Sequence, residues 1–114
     1  MELIQFNKNG GPVTIDVDIV GASIWSYIYV GDFTFKNKST NTPASNHTLG
    51  LPVNLDDDIN SWDIRIGNIS SSAIQATAKI TWRQNGNSLN VWTKQVTVQA
   101  QSATKVSDDA LLAA

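Results

Sequence analysis

Three aromatic residues recur at alternate positions in one short stretch of the chain. Trp25, Tyr27 and Tyr29 alternate with smaller residues in the predicted strand Ser23–Val30. Residues two apart in a strand lie on the same face, roughly 6–7 Å from each other, a spacing that suits stacking against successive sugar rings. If the aliphatic residues of the strand face the core, this aromatic row is a ligand-binding platform. The alternative is that the row faces the core, or lies under a loop or a second subunit, because large aromatic side chains are usually buried.

Trp92 is a second candidate for the ligand-binding surface. The dipeptide Asn85-Gly86 predicts a two-residue type I′ turn, and the register centred on that turn directs Trp92 away from Trp82. There Trp92 would lie beside Lys79, where a cation–π contact can form. Two interpretations stay open: an outward Trp92 extends the binding surface, or the residue covers the second sheet.

A run of acidic residues contains oxygen ligands at alternate positions. Asp56, Asp58 and Asn60 resemble the first half of a calcium-binding loop, in which carboxylate and amide oxygens are the ligands. The match to an EF-hand then ends, because Ser61 stands where that loop needs glycine and Gly67 where it needs a bidentate glutamate. Calcium is the one cofactor that the sequence suggests, and a solvated acidic turn is the alternative.

No arrangement of residues predicts catalysis. His47 is the only histidine and the chain has no cysteine, so a zinc site built from several His or Cys ligands is excluded. The sequence also lacks a Gly-x-Ser-x-Gly elbow that would expose a nucleophilic serine. We therefore interpret His47 as a surface residue and predict that the protein is not an enzyme. Asn-x-Ser/Thr triplets begin at Asn37, Asn46 and Asn68, about as many as chance gives in a chain this rich in Asn, Ser and Thr.

The composition favours a small domain with a neutral, polar surface. Asn, Ser, Thr and Gln supply 38 of the 114 residues, and the formal net charge is -2. Basic residues are scattered singly, whereas nucleic-acid binding requires clustered positive charge, so a nucleic-acid partner is not expected. No apolar run reaches membrane-spanning length and no signal peptide is recognisable before the first strand. A neutral polar surface favours an extracellular or cell-surface location.

Short alternating stretches separated by turn residues must position these candidates. In Val13–Val20 the aliphatic residues occupy every second position, which predicts a strand with one buried face. The stretches on either side of the Asn85-Gly86 turn form a hairpin, and a change of aliphatic parity in its second strand predicts a β-bulge near Thr93–Gln95. Further expected elements are strands at Glu2–Phe6, Phe33–Phe35 and Trp62–Ile66, a broken edge strand at Leu49–Leu55, polar loops at Lys38–Thr48 and Asp56–Ser61, and one helical turn or frayed coil from Ser107.

About eight short strands without a long helix predict an all-β fold. We expect an antiparallel two-sheet β-sandwich (Ig-like, C2-like or jelly-roll), with a closed barrel as the second choice. Residues 1–106 form its single domain, and residues 107–114 form a short tail. The favoured function is a non-enzymatic, lectin-like module that binds carbohydrate. The alternatives are a structural or assembly subunit of a virion, fibre or secreted complex, in which the aromatic row contacts protein, including further copies of the chain, and a small membrane-active β-toxin.

Overall fold

The computed structural model describes the backbone of residues 2–21, 24–30, 33–37 and 44–114, and the side chains of residues 2–21 and 47–114. This part of the chain is mostly β-structure in two sheets, which confirms the predicted all-β class. Its strands are β1 (Glu2–Gln5), β2 (Val13–Val20), β3 (Ile24–Val30), β4 (Phe33–Asn37), β5 (Ala44–Gly50), β6 (Asp58–Asn68), β7 (Ile74–Gln84), β8 (Asn87–Val98) and β9 (Ala103–Ala113), and its helix is the four-residue α1 (Pro52–Leu55).

The five-stranded sheet joins the two ends of the chain. Its strand order is β1-β9-β6-β3-β4. β9 pairs antiparallel with β6 on one side and parallel with β1 on the other. β6 pairs antiparallel with β3 along the whole of the latter strand. Strands β3, β6 and β9, which come from distant parts of the sequence, are therefore neighbours.

The C-terminal residues belong to this sheet, so the predicted helical turn or frayed coil from Ser107 is wrong. β9 runs to Ala113, and its residues Ala110 and Leu112 are buried. The expected helical turn had only weak local support, namely an N-cap residue and first-turn acids. Pairing with strands on both sides and burial of apolar side chains outweigh that preference. Residues 107–113 are consequently strand residues of the five-stranded sheet.

The four-stranded sheet, of order β5-β2-β7-β8, is built around the predicted hairpin. Asn85 and Gly86 have φ values of 52° and 79°, the left-handed conformations that a type I′ turn requires. Arg83 pairs with Ser88 across the hairpin, as predicted. β2 has the predicted bounds and pairs with β7, and its four alternate aliphatic residues are buried.

The segment before β6 differs from the prediction. β5 includes the end of the predicted polar loop Lys38–Thr48, and positions 38–43 of that loop lie outside the described residues. Pro52 begins α1 instead of interrupting an edge strand, because proline fits the first turn of a helix, where no backbone donor is needed. β5 does lie at an edge of its sheet, which was the other part of that prediction.

The predicted bulge of β8 is present but lies earlier in the strand. The register is shifted between Trp82 and Arg83, and Leu89 is left without a partner. A shift of one residue exchanges the two faces of a strand. Val91 is therefore exposed, whereas Trp92 is only 6% exposed and lies in the core. The predicted outward orientation of Trp92 is wrong for this reason.

Buried side chains of both sheets form one hydrophobic core. In it, the Trp62 ring on β6 contacts the rings of Trp82 on β7 and Trp92 on β8, both at centroid distances of 5.2 Å. The Trp82 Nε1 donates a hydrogen bond to buried Asn60 at 3.0 Å, and the Trp92 Nε1 donates one to Asp108 at 3.3 Å. Across the described residues the two sheets share no hydrogen-bonded strand pair, so contacts between side chains hold them together.

Candidate functional site

The outward face of the five-stranded sheet carries the aromatic positions singled out in the sequence. Along β6, Trp62, Ile64 and Ile66 are buried, so the alternate positions Asp63 and Arg65 face outward. Residues paired directly across antiparallel strands lie on the same face. The backbone register places the aromatic row opposite outward positions of β6: Trp25 opposite Gly67, Tyr27 opposite Arg65, and Tyr29 opposite Asp63. The side chains of the row lie outside the described residues.

β9 extends this face on the other side of β6. Together β3, β6 and β9 give three rows of three positions, which we call the outer grid: Trp25–Gly67–Ala103, Tyr27–Arg65–Lys105 and Tyr29–Asp63–Ser107. Neighbouring strands lie about 4.8 Å apart and successive positions on one face about 6.8 Å apart. The outer grid therefore spans about 10 Å by about 14 Å, an area on the scale of one or two sugar rings.

Asp63 holds two cations within the outer grid. Its Oδ2 lies 3.5 Å from the Arg65 Nη2 and 3.6 Å from the Lys105 Nζ. The two basic side chains remain 57% and 58% exposed. The second carboxylate oxygen, Oδ1, is buried and has no hydrogen-bond partner among the described residues. One carboxylate thus faces two cations through a single oxygen, which leaves one positive charge in excess among these three side chains.

Two shallow depressions adjoin the cations. One, of about 300 Å³, is lined by Arg65, Ala103, Thr104 and Lys105. The other, of about 460 Å³, also reaches Ala103 and is otherwise lined by the loop residues that flank the ends of β6 and β9: Asn68, Ile69, Gln101 and Ser102. Since Ala103 lines both depressions, they adjoin each other along one side of the outer grid.

Asn68 fastens the loops at this end of the sheet. Its Nδ2 donates to the carbonyl oxygens of Ser72 at 2.8 Å, Val98 at 3.1 Å and Gln99 at 3.2 Å. Its Oδ1 accepts hydrogen bonds from the backbone and the hydroxyl of Ser70. Asn68 is only 2% exposed, so the folded protein does not present this Asn-x-Ser triplet for glycosylation. The side chains of the other two triplet asparagines lie outside the described residues.

Trp92 does not belong to the outer grid. It was expected either to extend the binding surface or to cover the second sheet. Its ring packs against Trp62 of the five-stranded sheet, on the side opposite to the outer grid. Its burial corresponds to the interpretation in which Trp92 covers the second sheet.

The three suggested calcium ligands are not brought together by their side chains. Asn60 points into the core, 5% exposed, and its Oδ1 accepts the hydrogen bond from Trp82. Asp56 accepts a hydrogen bond from the backbone of Ala114 at 2.9 Å, and Asp58 accepts one from the next residue along the chain. Within the described residues, no group of three or more His, Cys, Asp or Glu side chains could hold a metal ion. Calcium binding by this segment stays an untested prediction.

His47 lies in β5 and not in a loop. It is half-buried, and its backbone pairs with Ile15 of β2. Across the part of the chain that is described, no helix combines the length and apolar character that crossing a bilayer requires.

The charged residues of the outer grid were not identified as a site from the sequence. Asp63 and Arg65 lie within the predicted strand Trp62–Ile66, but neither these residues nor Lys105 were singled out. The alternation itself was sufficient to place Asp63 and Arg65 on the outer face. What the sequence did not contain was the partner of that strand, because β3, β6 and β9 are separated by long stretches of chain.

A row of aliphatic side chains lies on the same face, beyond the outer grid. Leu3 and Ile59 are 51% and 47% exposed, and both pair with the half-buried Leu111 of β9. Three adjacent strands thus each contribute one apolar side chain to this aliphatic row. Polar residues of β6 and β9, Ser61 and Asp109, separate it from the outer grid.

No protein-family model, no curated protein and no solved structure matches this chain.

Proposed function

We propose that this protein is a non-enzymatic carbohydrate-binding module with a β-sandwich architecture, and that the outer grid is its binding surface. The observation that carries the proposal is the register of β3 on β6, which sets three aromatic positions beside Asp63 and Arg65. Sugars have apolar C–H faces, which stack on aromatic rings, and hydroxyl groups, which need polar partners nearby. The outer grid combines the two kinds of position within one small area.

The polar groups beside the aromatic row have free capacity for hydrogen bonds. In the described part of the structure, Arg65 and Lys105 are held only by ionic contacts of 3.5 and 3.6 Å to Asp63. A guanidinium group has five N–H donors and an ammonium group three. Most of these donors are therefore available to sugar hydroxyls or ring oxygens. Ser107, on the exposed side of β9, adds a hydroxyl in register with Asp63.

The experiment is a glycan-array screen of the purified chain, run with calcium and again with chelator. The expected result is binding that does not depend on calcium and that is lost in Tyr27→Ala. The matched control is Thr93→Ala, on the exposed side of β8 in the other sheet, which should bind as the parent does. Binding that chelator removes would transfer the site to Asp56 and Asp58. An array that stays blank in both conditions would contradict the proposal.

A second candidate function, an assembly subunit, is favoured by the aliphatic row of Leu3, Ile59 and Leu111. Because the aliphatic row and the outer grid share one sheet face, a second protein surface could cover both. Light scattering of the parent chain and of Ile59→Asp separates the two functions. A monomer in both samples supports the carbohydrate-binding module, whereas a stable oligomer that Ile59→Asp dissociates supports assembly.

A further inference from the structure

We propose that the saccharide is anionic, and that Arg65 and Lys105 bind its carboxylate or sulfate group while the aromatic row stacks on the sugar ring. This inference rests on the proposed function and names the class of sugar that the same site would select. It is carried by the distribution of charge within the outer grid and by how little of that charge is compensated.

The ion cluster around Asp63 has an excess of positive charge. Arg65 and Lys105 share one oxygen of Asp63, at distances longer than an ordinary charge-assisted hydrogen bond of about 2.7–2.9 Å. Both basic side chains are more than half exposed. The buried Oδ1 of Asp63 makes no hydrogen bond with either cation. An anionic group of a ligand would supply the second negative charge that this cluster lacks.

Basic positions are aligned in one row across the five-stranded sheet. Lys36 of β4 is in register with Tyr27, which is in register with Arg65 and, through it, with Lys105. Three basic positions and one tyrosine therefore follow one another across four adjacent strands, spaced about 4.8 Å apart. Lys36 is placed in this row by its register position, since its side chain lies outside the described residues. This is a local concentration of positive charge in a chain whose net charge is -2.

Arg83 and Lys79 of the four-stranded sheet differ from the cations of the outer grid in their acidic neighbours. Arg83 lies 2.6 Å from Asp16 through its Nε, and Lys79 is paired across the strands with Asp18. Arg83 therefore has a carboxylate at ion-pair distance, whereas Lys79 and Asp18 are neighbours by backbone register. On the outward side of β9, the acidic residue that follows Lys105 is Asp109. It lies beyond the outer grid, four residues or about 14 Å from Lys105. Water and salt screen charges at that separation strongly.

The concave surface beside the cations fits the same interpretation. Arg65 and Lys105 line the depression of about 300 Å³ together with Ala103. A carboxylate or sulfate seated there would contact both cations from the side away from Asp63. Arginine binds carboxylate and sulfate oxygens through two parallel hydrogen bonds, which fixes the direction of the anionic group as well as its position.

The test is a panel of acidic saccharides, each paired with its neutral counterpart: uronic-acid oligomers with their carboxyl-reduced forms, sialylated with desialylated glycans, and sulfated with desulfated glycans. The variant is Arg65→Gln combined with Lys105→Gln. The control is Lys79→Gln combined with Lys94→Gln, which makes the same change of charge at exposed positions of the four-stranded sheet. Circular dichroism and the denaturation midpoint confirm that both variants fold.

The expected result is that the parent and the control bind at least one acidic saccharide tenfold or more tightly than its neutral partner, and that the grid variant loses this preference. Added salt should weaken acidic binding more than neutral binding. Equal binding of acidic and neutral partners by the parent would overturn the anionic inference and leave the carbohydrate-binding function standing. Unchanged selectivity in the grid variant would overturn the assignment to Arg65 and Lys105. Binding to vesicles with anionic lipids in the absence of any glycan binding would overturn both proposals.

Discussion

The outward faces of the two sheets carry ion pairs of different length. On the four-stranded sheet, the Arg83–Asp16 pair is closed at 2.6 Å and Gln75 donates to Thr97 at 2.7 Å. On the five-stranded sheet, the outer grid combines aromatic positions with an incompletely compensated ion cluster around Asp63. The strands of both sheets have one buried side and one outward side. The architecture alone therefore does not account for the difference between the two outward faces.

Polar groups that are already paired within the protein stabilise the fold, whereas polar groups with unused donors can still contact a ligand. A polar group whose hydrogen bonds are already made inside the protein gains little from binding a partner. Uncompensated charge, by contrast, gains contacts when an oppositely charged ligand covers it. We therefore expect substitutions on the outer grid to change binding, and substitutions at the closed pairs of the other face to change stability.

The largest expected effect is on binding, and it concerns the aromatic row. Trp25→Ala combined with Tyr29→Ala should weaken saccharide binding by about tenfold to a hundredfold, because each aromatic contact contributes about 1 kcal/mol or more. The free energy of unfolding should change much less than in a core variant such as Trp82→Ala. Titration calorimetry and urea denaturation measure the two quantities on the same samples.

The control for the aromatic row is Thr93→Ala combined with Thr97→Ala on the other outward face. Binding by this control should stay within about twofold of the parent, a difference of about 0.4 kcal/mol. A loss of stability above about 3 kcal/mol in the Trp25/Tyr29 variant, the range of a buried aromatic residue, would show that the row is part of a covered interior. The comparison between the two faces would then be wrong.

The next effect is on stability and concerns the end of the outer face that Asn68 fastens. Asn68→Ala removes the donor to three carbonyl oxygens and should lower the free energy of unfolding by about 2–3 kcal/mol. Asn90→Ala is the matched control, since its side-chain amide donates only one hydrogen bond, of 3.4 Å, to the backbone of Leu3, and accepts one from the backbone of the adjacent Val91. Equal denaturation midpoints for these two variants would contradict the role assigned to Asn68.

The smallest effect distinguishes the two ion pairs. Arg83→Gln should lower the free energy of unfolding by about 0.5–1 kcal/mol, because its partly buried pair with Asp16 is short. Arg65→Gln should lower it by about 0.3 kcal/mol or less, because its contact with Asp63 is long and exposed. Urea denaturation at low salt measures both. A larger loss for Arg65→Gln would mean that the ion cluster of the outer grid is mainly structural.

The sequence by itself determined the features that depend on neighbouring residues. Alternation in Val13–Val20 gave the bounds and the buried face of β2, and Asn85-Gly86 gave the turn and the register next to it. Both follow from local geometry, namely the two-residue period of a strand and the left-handed conformations of a type I′ turn. The all-β class could be predicted for the same reason.

Only the tertiary structure decided the features that depend on distant pairing. The bulge at Leu89 reversed the orientation predicted for Trp92, and pairing with β1 and β6 made a strand of residues that locally favour a helical turn. The candidate site belongs to this second group. The positions of Trp25 and Lys105 share a face because β3 and β9 both pair with β6, one on each side. No local pattern specifies which strands pair when the chain between them is long.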